Sequence, residues 1–144
     1  TPPCGFVCAG DDGVFGVYEK KIDVPSVSVQ ICGQRQGDGY TDYALQCEGM
    51  CEDAHAVRLS IGYEGDRLEI LLDGEKIADD YYTGRPYVLG LRGYGYPSRI
   101  TVRVYEMRQG AFVYTEYPPE FENGKACRLK DVRAAVQMRV LLKE

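Results

Sequence analysis

"AVRLSIGYEGDRLEILLDGEKIADDYYTGRP", Ala56 to Pro86, is the stretch that decides the fold. Val57, Leu59, Ile61 and Tyr63 fall on one side of an extended chain, with Arg58, Ser60 and Gly62 on the other. Strict alternation of this kind is the mark of a half-buried strand. Glu64-Gly65-Asp66 turns the chain, and Leu68, Ile70 and Leu72 resume the pattern. Asp73-Gly74 then predicts a hairpin, because a tight two-residue turn demands positive φ and glycine supplies it without strain.

The same period of two recurs on either side. Val27, Val29 and Ile31 alternate in "SVSVQIC", as do Tyr43, Leu45 and Cys47 in "DYALQC". Tyr87, Leu89 and Leu91 share a face, as do Ile100, Val102 and Val104. The last segment, "DVRAAVQMRVLLKE", is rich in helix formers. Yet Ala134, Val136, Met138, Val140 and Leu142 alternate with polar positions, whereas a helical stripe would be broken by Arg133, Gln137 and Arg139. A strand is the better reading. Eight to ten short strands between Gly, Pro and Asp turns, with no convincing helix, predict an all-β sandwich or barrel in one domain over 1–144. Residues 1–13 read as a loose entry segment.

Composition sets the function classes. The 144 residues are 44% hydrophobic and 27% charged, enough for a packed core. The net charge of −5 argues against nucleic acid and anionic membrane as partners. No apolar run approaches the roughly 20 residues of a membrane helix. The chain shows no signal peptide and no initiator Met, so a processed or excised piece is expected, leaning to a bacterial cytoplasmic protein. Six cysteines leave two readings open: free thiols, or at least one disulfide. Cys4/Cys8 and Cys47/Cys51 have admissible spacing for halves of a zinc site, but the usual knuckle is C-x₂-C. No metal and no cofactor is expected.

Three stretches carry a family resemblance: "GDRLEILLDGEKIADDYYTGRPYVLGL", "ITVRVYEM" and "VYTEYPPEFENGKACRLKDVRA". In the order Asp-Gly, then an aromatic-Thr-Gly-x-Pro loop, then an apolar strand, the chain from about Tyr43 to Val136 resembles the C-terminal β-sandwich of bacterial β-galactosidases. These are glycoside hydrolases of family 35 and their relatives. Asp80, Tyr87 and the cysteine-rich N-terminal part depart from that pattern. The resemblance implies a jelly-roll of the galactose-binding-like type, with the catalytic carboxylates on a separate (β/α)₈ barrel. Its implied partner is therefore the catalytic barrel domain of the same parent protein, with galactose-type carbohydrate as the ligand class.

No catalytic residue is expected in this chain. Asp79, Asp80, Glu116, Glu120 and Glu122 are the carboxylates to consider for a hydrolytic pair, but adjacent Asp79 and Asp80 would point to opposite faces of a strand. His55 has no triad context. The aromatic set offers more. Tyr81, Tyr82, Arg85, Tyr94 and Tyr96 form a carbohydrate-binding candidate, in which rings stack on sugar C–H faces while charged groups bond hydroxyls. The competing reading is that these tyrosines pack the sandwich or an inter-domain contact. "DDYYTGRP" is then an architectural corner, with Gly84 permitting the turn and Pro86 setting the entry to the next strand. An independent carbohydrate-binding module and a secreted, disulfide-stapled protein-binding β-domain are the alternative functions.

Overall fold

A computed structural model describes residues 5–11, 13–49, 54–111 and 115–140. Cys4, Cys51 and Leu142 lie outside the described residues. The chain is nearly all β. Its strands are β1 (Val7–Asp11), β2 (Gly16–Glu19), β3 (Ser28–Gln36), β4 (Tyr40–Glu48), β5 (Ala56–Glu64), β6 (Arg67–Leu72), β7 (Glu75–Tyr81), β8 (Tyr87–Gly90), β9 (Arg99–Tyr105), β10 (Met107–Arg108), β11 (Lys125–Ala126) and β12 (Arg128–Gln137). Among the described residues one 3₁₀ turn spans Arg92–Tyr94.

A five-stranded antiparallel sheet runs in the order β3-β4-β9-β6-β7, and a three-stranded one in the order β12-β5-β8. Their apolar faces meet. Leu45, Leu68, Ile70, Ile100, Val102 and Val104 come from the larger sheet, and Val57, Leu59, Ile61, Leu89 and Leu129 from the smaller. The alternating residues of the opening stretch are thus the centre of the core: Val57, Leu59, Ile61, Leu68 and Ile70 are wholly buried. Burying each such side chain stabilises by roughly 1.5–3 kcal/mol.

The turns follow their sequence signals. Asp73 and Gly74 both take positive φ, 51° and 82°, and close the β6–β7 hairpin. Asn123 and Gly124 do the same, at 50° and 78°, between the bridged Glu122 and Lys125. Gly65 lets the chain cross from the small sheet to the large one. A Cβ there would lie 2.5 Å from the Tyr105 carbonyl oxygen.

The twelve strands of the described residues exceed the eight to ten expected. β10 and β11 have two residues each, too short to show alternation. β1 and β2 pair with each other in a separate sheet, and both are exposed along their length, so no periodic burial marks them. β1 forms within the segment read as a loose entry. The C-terminal segment is strand β12 as far as Gln137; Ala134, Val136 and Met138 are half-buried as the alternation predicts, whereas Val140, beyond the strand, is 38% exposed. The register slips between Leu129 and Asp131, so Lys130 is an extra residue and the inward parity changes from odd to even.

Candidate functional site

The corner after β7 is where the sequence placed its candidate residues, and the structure divides them. Tyr82 is buried, 6% exposed, and stands edge-on to Tyr63 with ring centroids 5.7 Å apart. Its hydroxyl donates to the Tyr117 carbonyl at 3.0 Å. Gly84 has φ +88°, and a Cβ on it would meet the Tyr117 Cβ at 2.5 Å and its carbonyl oxygen at 2.7 Å. Arg85 pairs with Glu116 at 3.0 Å in an exposed ion pair. These three residues therefore clasp the 116–117 segment. Tyr81 instead points outward from the edge strand and is 70% exposed. The Tyr94 hydroxyl donates to the Ile77 carbonyl, and that of Tyr96 to the Ala54 carbonyl, each at 3.3 Å. The five candidates do not converge on one surface.

Sequence reasoning missed the group beside this corner. Glu64 ends β5 on the outer face of the small sheet and is 5% exposed, because the segment around Glu120 covers it. Arg128 stands directly opposite on β12, and its guanidinium donates to the Glu64 carboxylate. Lys130, placed by the bulge, lies 3.4 Å from the same carboxylate, and the Glu120 amide N–H donates to it. Burial pushes the Glu64 carboxyl up, but the hydrogen bonds from Arg128 and the Glu120 amide outweigh that and hold it below its ordinary value. Arg128 also donates to the Glu122 carboxylate and the Glu120 carbonyl, each at 2.7 Å. Glu120 and Glu122 thus cap this cluster. No short-range pattern announces it, because Glu64 and Arg128 are 64 residues apart.

Two polar cavities flank the pair. One, of about 170 Å³, is lined by Glu64, Tyr82, Arg85, Lys130 and Asp131. The other, of about 250 Å³, is lined by Arg128, Glu122, Lys125, Glu106, Gln36 and Tyr40.

Asp79 and Asp80 do face opposite ways. Asp79 is exposed and pairs with Lys76 at 2.7 Å. Asp80 turns inward and accepts from the Tyr63 hydroxyl at 3.1 Å. Burial raises the Asp80 carboxyl above its ordinary value, against the lowering effect of that hydrogen bond. Glycoside hydrolysis needs a neutral acid facing a carboxylate across the scissile bond. Glu64 is held ionised by its cations, and Asp80 has its neighbouring carboxylate on the far face of the strand. What the corner offers is hydrogen bonding and rigidity.

Among the described residues no group of three or more His, Cys, Asp or Glu is placed to hold a metal. Cys8, Cys32, Cys47 and Cys127 are free thiols. Cys47 is buried, and Cys127 lies 3.2 Å from the Val104 carbonyl oxygen. His55 sits half-buried just before β5.

No family model matches the chain, and neither does any curated protein or solved structure.

Proposed function

We propose that the chain is a non-catalytic accessory β-sandwich of a β-galactosidase-like glycoside hydrolase, of jelly-roll, galactose-binding-like type. Its work is packing against the catalytic barrel domain of the parent protein. The observation that carries this reading is the N-terminal hairpin. Among the described residues β1 and β2 pair only with each other, yet Val7, Val17 and Tyr18 on them, and Ile22 and Val24 just beyond, are 71, 45, 41, 41 and 58% exposed. An isolated two-stranded hairpin is marginal in water, and a run of exposed apolar residues on it fits burial against a further domain. The clasp of Tyr82, Gly84 and Arg85 on the 116–117 segment supports the architectural role of "DDYYTGRP", the stretch on which the resemblance rests.

The alternative of a module that holds a galactose-type sugar in its tyrosine loops draws less support, since of its rings Tyr82 is buried and Tyr94 and Tyr96 are tied to backbone. The disulfide-stapled, protein-binding reading draws none from four free thiols. The test is the size of the native polypeptide, read by blotting an extract of the source cells with an antibody to this domain. A band far above 16.1 kDa is expected. A band at 16.1 kDa would remove the accessory-domain reading.

A further inference from the structure

The five-stranded sheet ends in β3 and β7, and the three-stranded sheet in β12 and β8. An unpaired edge invites a further strand, and folds guard against this with charges, bulges or short length. Three of these edges are guarded. β7 carries Glu75, Lys76, Asp79 and Asp80, β12 carries Arg128, Lys130, Asp131 and Arg133, and β8 is four residues long. β3 is different. It runs for nine residues, Arg35 is its one charged residue, and it is exposed except at Val29. Among the described residues it has a hydrogen-bonded neighbour, β4, on one side alone. Alternate residues of β3 therefore turn their backbone N–H and C=O groups to the open side.

The register of β3 shifts between Ile31 and Gly33, which leaves a regular run over 33–36. Two rows of side chains on the outer face of the sheet reach the edge there. One row is Arg35, Asp42, Arg103 and Glu69, each directly across from the next on β3, β4, β9 and β6. Its charges alternate in sign. Arg103 donates to both carboxylate oxygens of Asp42, at 2.7 and 3.0 Å, and stacks over the Tyr40 ring. Asp42 is thereby matched, and no carboxylate among the described residues makes an ion pair with Arg35. The row ends at the edge on an uncompensated cation.

The other row is Gly33, Ala44, Thr101 and Leu71. Neither backbone nor crowding requires a glycine at 33. Its φ lies outside the left-handed region, and an added Cβ would meet the Ala44 Cβ at an ordinary 3.7 Å. What Gly33 does is leave a hollow of about 290 Å³ at the edge, lined by Gly33, Gln34, Arg35, Asp42, Ala44 and Thr101.

A strand laid on β3 would extend both rows. Opposite charges directly across from each other stabilise a sheet, and a large side chain covers a glycine on the neighbouring strand. We propose that the β3 edge takes up an extended peptide of a partner protein as a further antiparallel strand, with a carboxylate across from Arg35 and a large apolar side chain over Gly33. Gly33 and Arg35 are two residues apart on one face, and antiparallel strands run in opposite senses. The peptide therefore reads acidic-x-apolar from its N-terminal side. Its backbone supplies affinity, and these two side chains supply selectivity. So short a contact makes a transient complex. The site uses neither the N-terminal hairpin nor the corner after β7, and it stands or falls separately from the accessory-domain reading.

The test is amide-resolved NMR titration of the whole chain with the end-capped peptide Ser-Thr-Glu-Val-Phe-Thr-Ser. Saturable shifts centred on residues 33–36 are expected. The same peptide with Lys in place of Glu is expected to bind about fivefold more weakly or worse. Arg35→Glu should reverse that preference, an exchange that a merely structural role for Arg35 would not produce. Gly33→Val, which fills the hollow, should weaken binding of the Glu peptide several-fold. Absence of saturable shifts would overturn the proposal, as would shifts centred on the β1–β2 hairpin or on Tyr81. So would equal binding of the two peptides by the wild type, or binding that both variants leave unchanged. Shifts at residues 33–36 that grow with protein concentration without peptide would also overturn it, since a second copy then occupies the edge. Size on the blot bears on the parent enzyme alone.

Discussion

Glu64 and Asp80 are two acidic side chains at one end of the sandwich, and their surroundings make them opposites. Tyr63 and Tyr82, in edge-to-face contact, lie between them. Glu64 meets Arg128, Lys130 and a backbone amide, and its carboxyl is held below its ordinary value. Asp80 meets the Tyr63 hydroxyl, no cation among the described residues bonds to it, and burial raises its carboxyl. Burial alone disfavours both anions, so the difference lies in the partners. The Glu64 cluster ties β5, β12 and the 116–122 segment together as an ionised unit. Asp80 is a charge the fold tolerates.

The largest effect is expected from breaking the first member. Glu64→Gln keeps the shape but leaves Arg128 and Lys130 facing a neutral amide, which should cost about 3 kcal/mol at neutral pH. Urea unfolding checks it. The sign with pH follows from the lowered folded-state value. The contribution of Glu64 is present above its ordinary value of 4.5 and is lost as pH falls through the folded value, so wild type and variant should converge in acid.

Next comes Gly84→Ala. A methyl group at φ +88° strains the backbone and collides with the Tyr117 main chain, loosening the segment that covers Glu64. A loss of about 2–3 kcal/mol is expected. If the cover and the ion cluster act as one unit, the double variant with Glu64→Gln should lose less than the sum, which a double-mutant cycle reads directly.

The second member should respond with the opposite sign. Asp80→Asn keeps an oxygen to accept from Tyr63 and removes a poorly compensated charge, so it should stabilise by about 1 kcal/mol at neutral pH. The folded-state value of Asp80 is raised, so the native fold favours its protonated form. The penalty of the anion is absent below the ordinary value of 3.8 and grows as pH rises through the folded value. The gain from Asp80→Asn should therefore vanish below 3.8, which thermal melts across pH will show. Stabilisation by both variants, or loss by both, would break the comparison.

How much of this was legible in the sequence follows from distance along the chain. The strands of the two core sheets and the Asp73-Gly74 turn were legible, because periodicity and turn chemistry act within a few residues. So was the opposed pointing of Asp79 and Asp80. The Glu64 cluster was not. In the sequence, Glu64 reads as the first residue of the Glu64-Gly65-Asp66 turn. It is buried by a segment more than 50 residues later, and its second cation arrives through a bulge at Lys130. The tyrosine candidates were legible as a cluster in sequence, but strand pairing sends Tyr81 outward and Tyr82 inward.

The smallest effect sharpens the comparison most, because it removes a single hydroxyl. Tyr63→Phe leaves the ring packed against Tyr82 and removes the hydroxyl that donates to the Asp80 carboxylate at 3.1 Å and its carbonyl at 3.2 Å. Stability should fall by about 1 kcal/mol at neutral pH. The more telling readout is the Asp80 carboxyl carbon followed by NMR through a pH titration. That hydrogen bond favours the anion, so without it burial acts unopposed and the Asp80 titration should move further up. The Glu64 titration should stay where its cations hold it. If instead Asp80 keeps its position, the tyrosine does not hold the charge. The contrast between the two carboxylates would then rest on the cations around Glu64 alone.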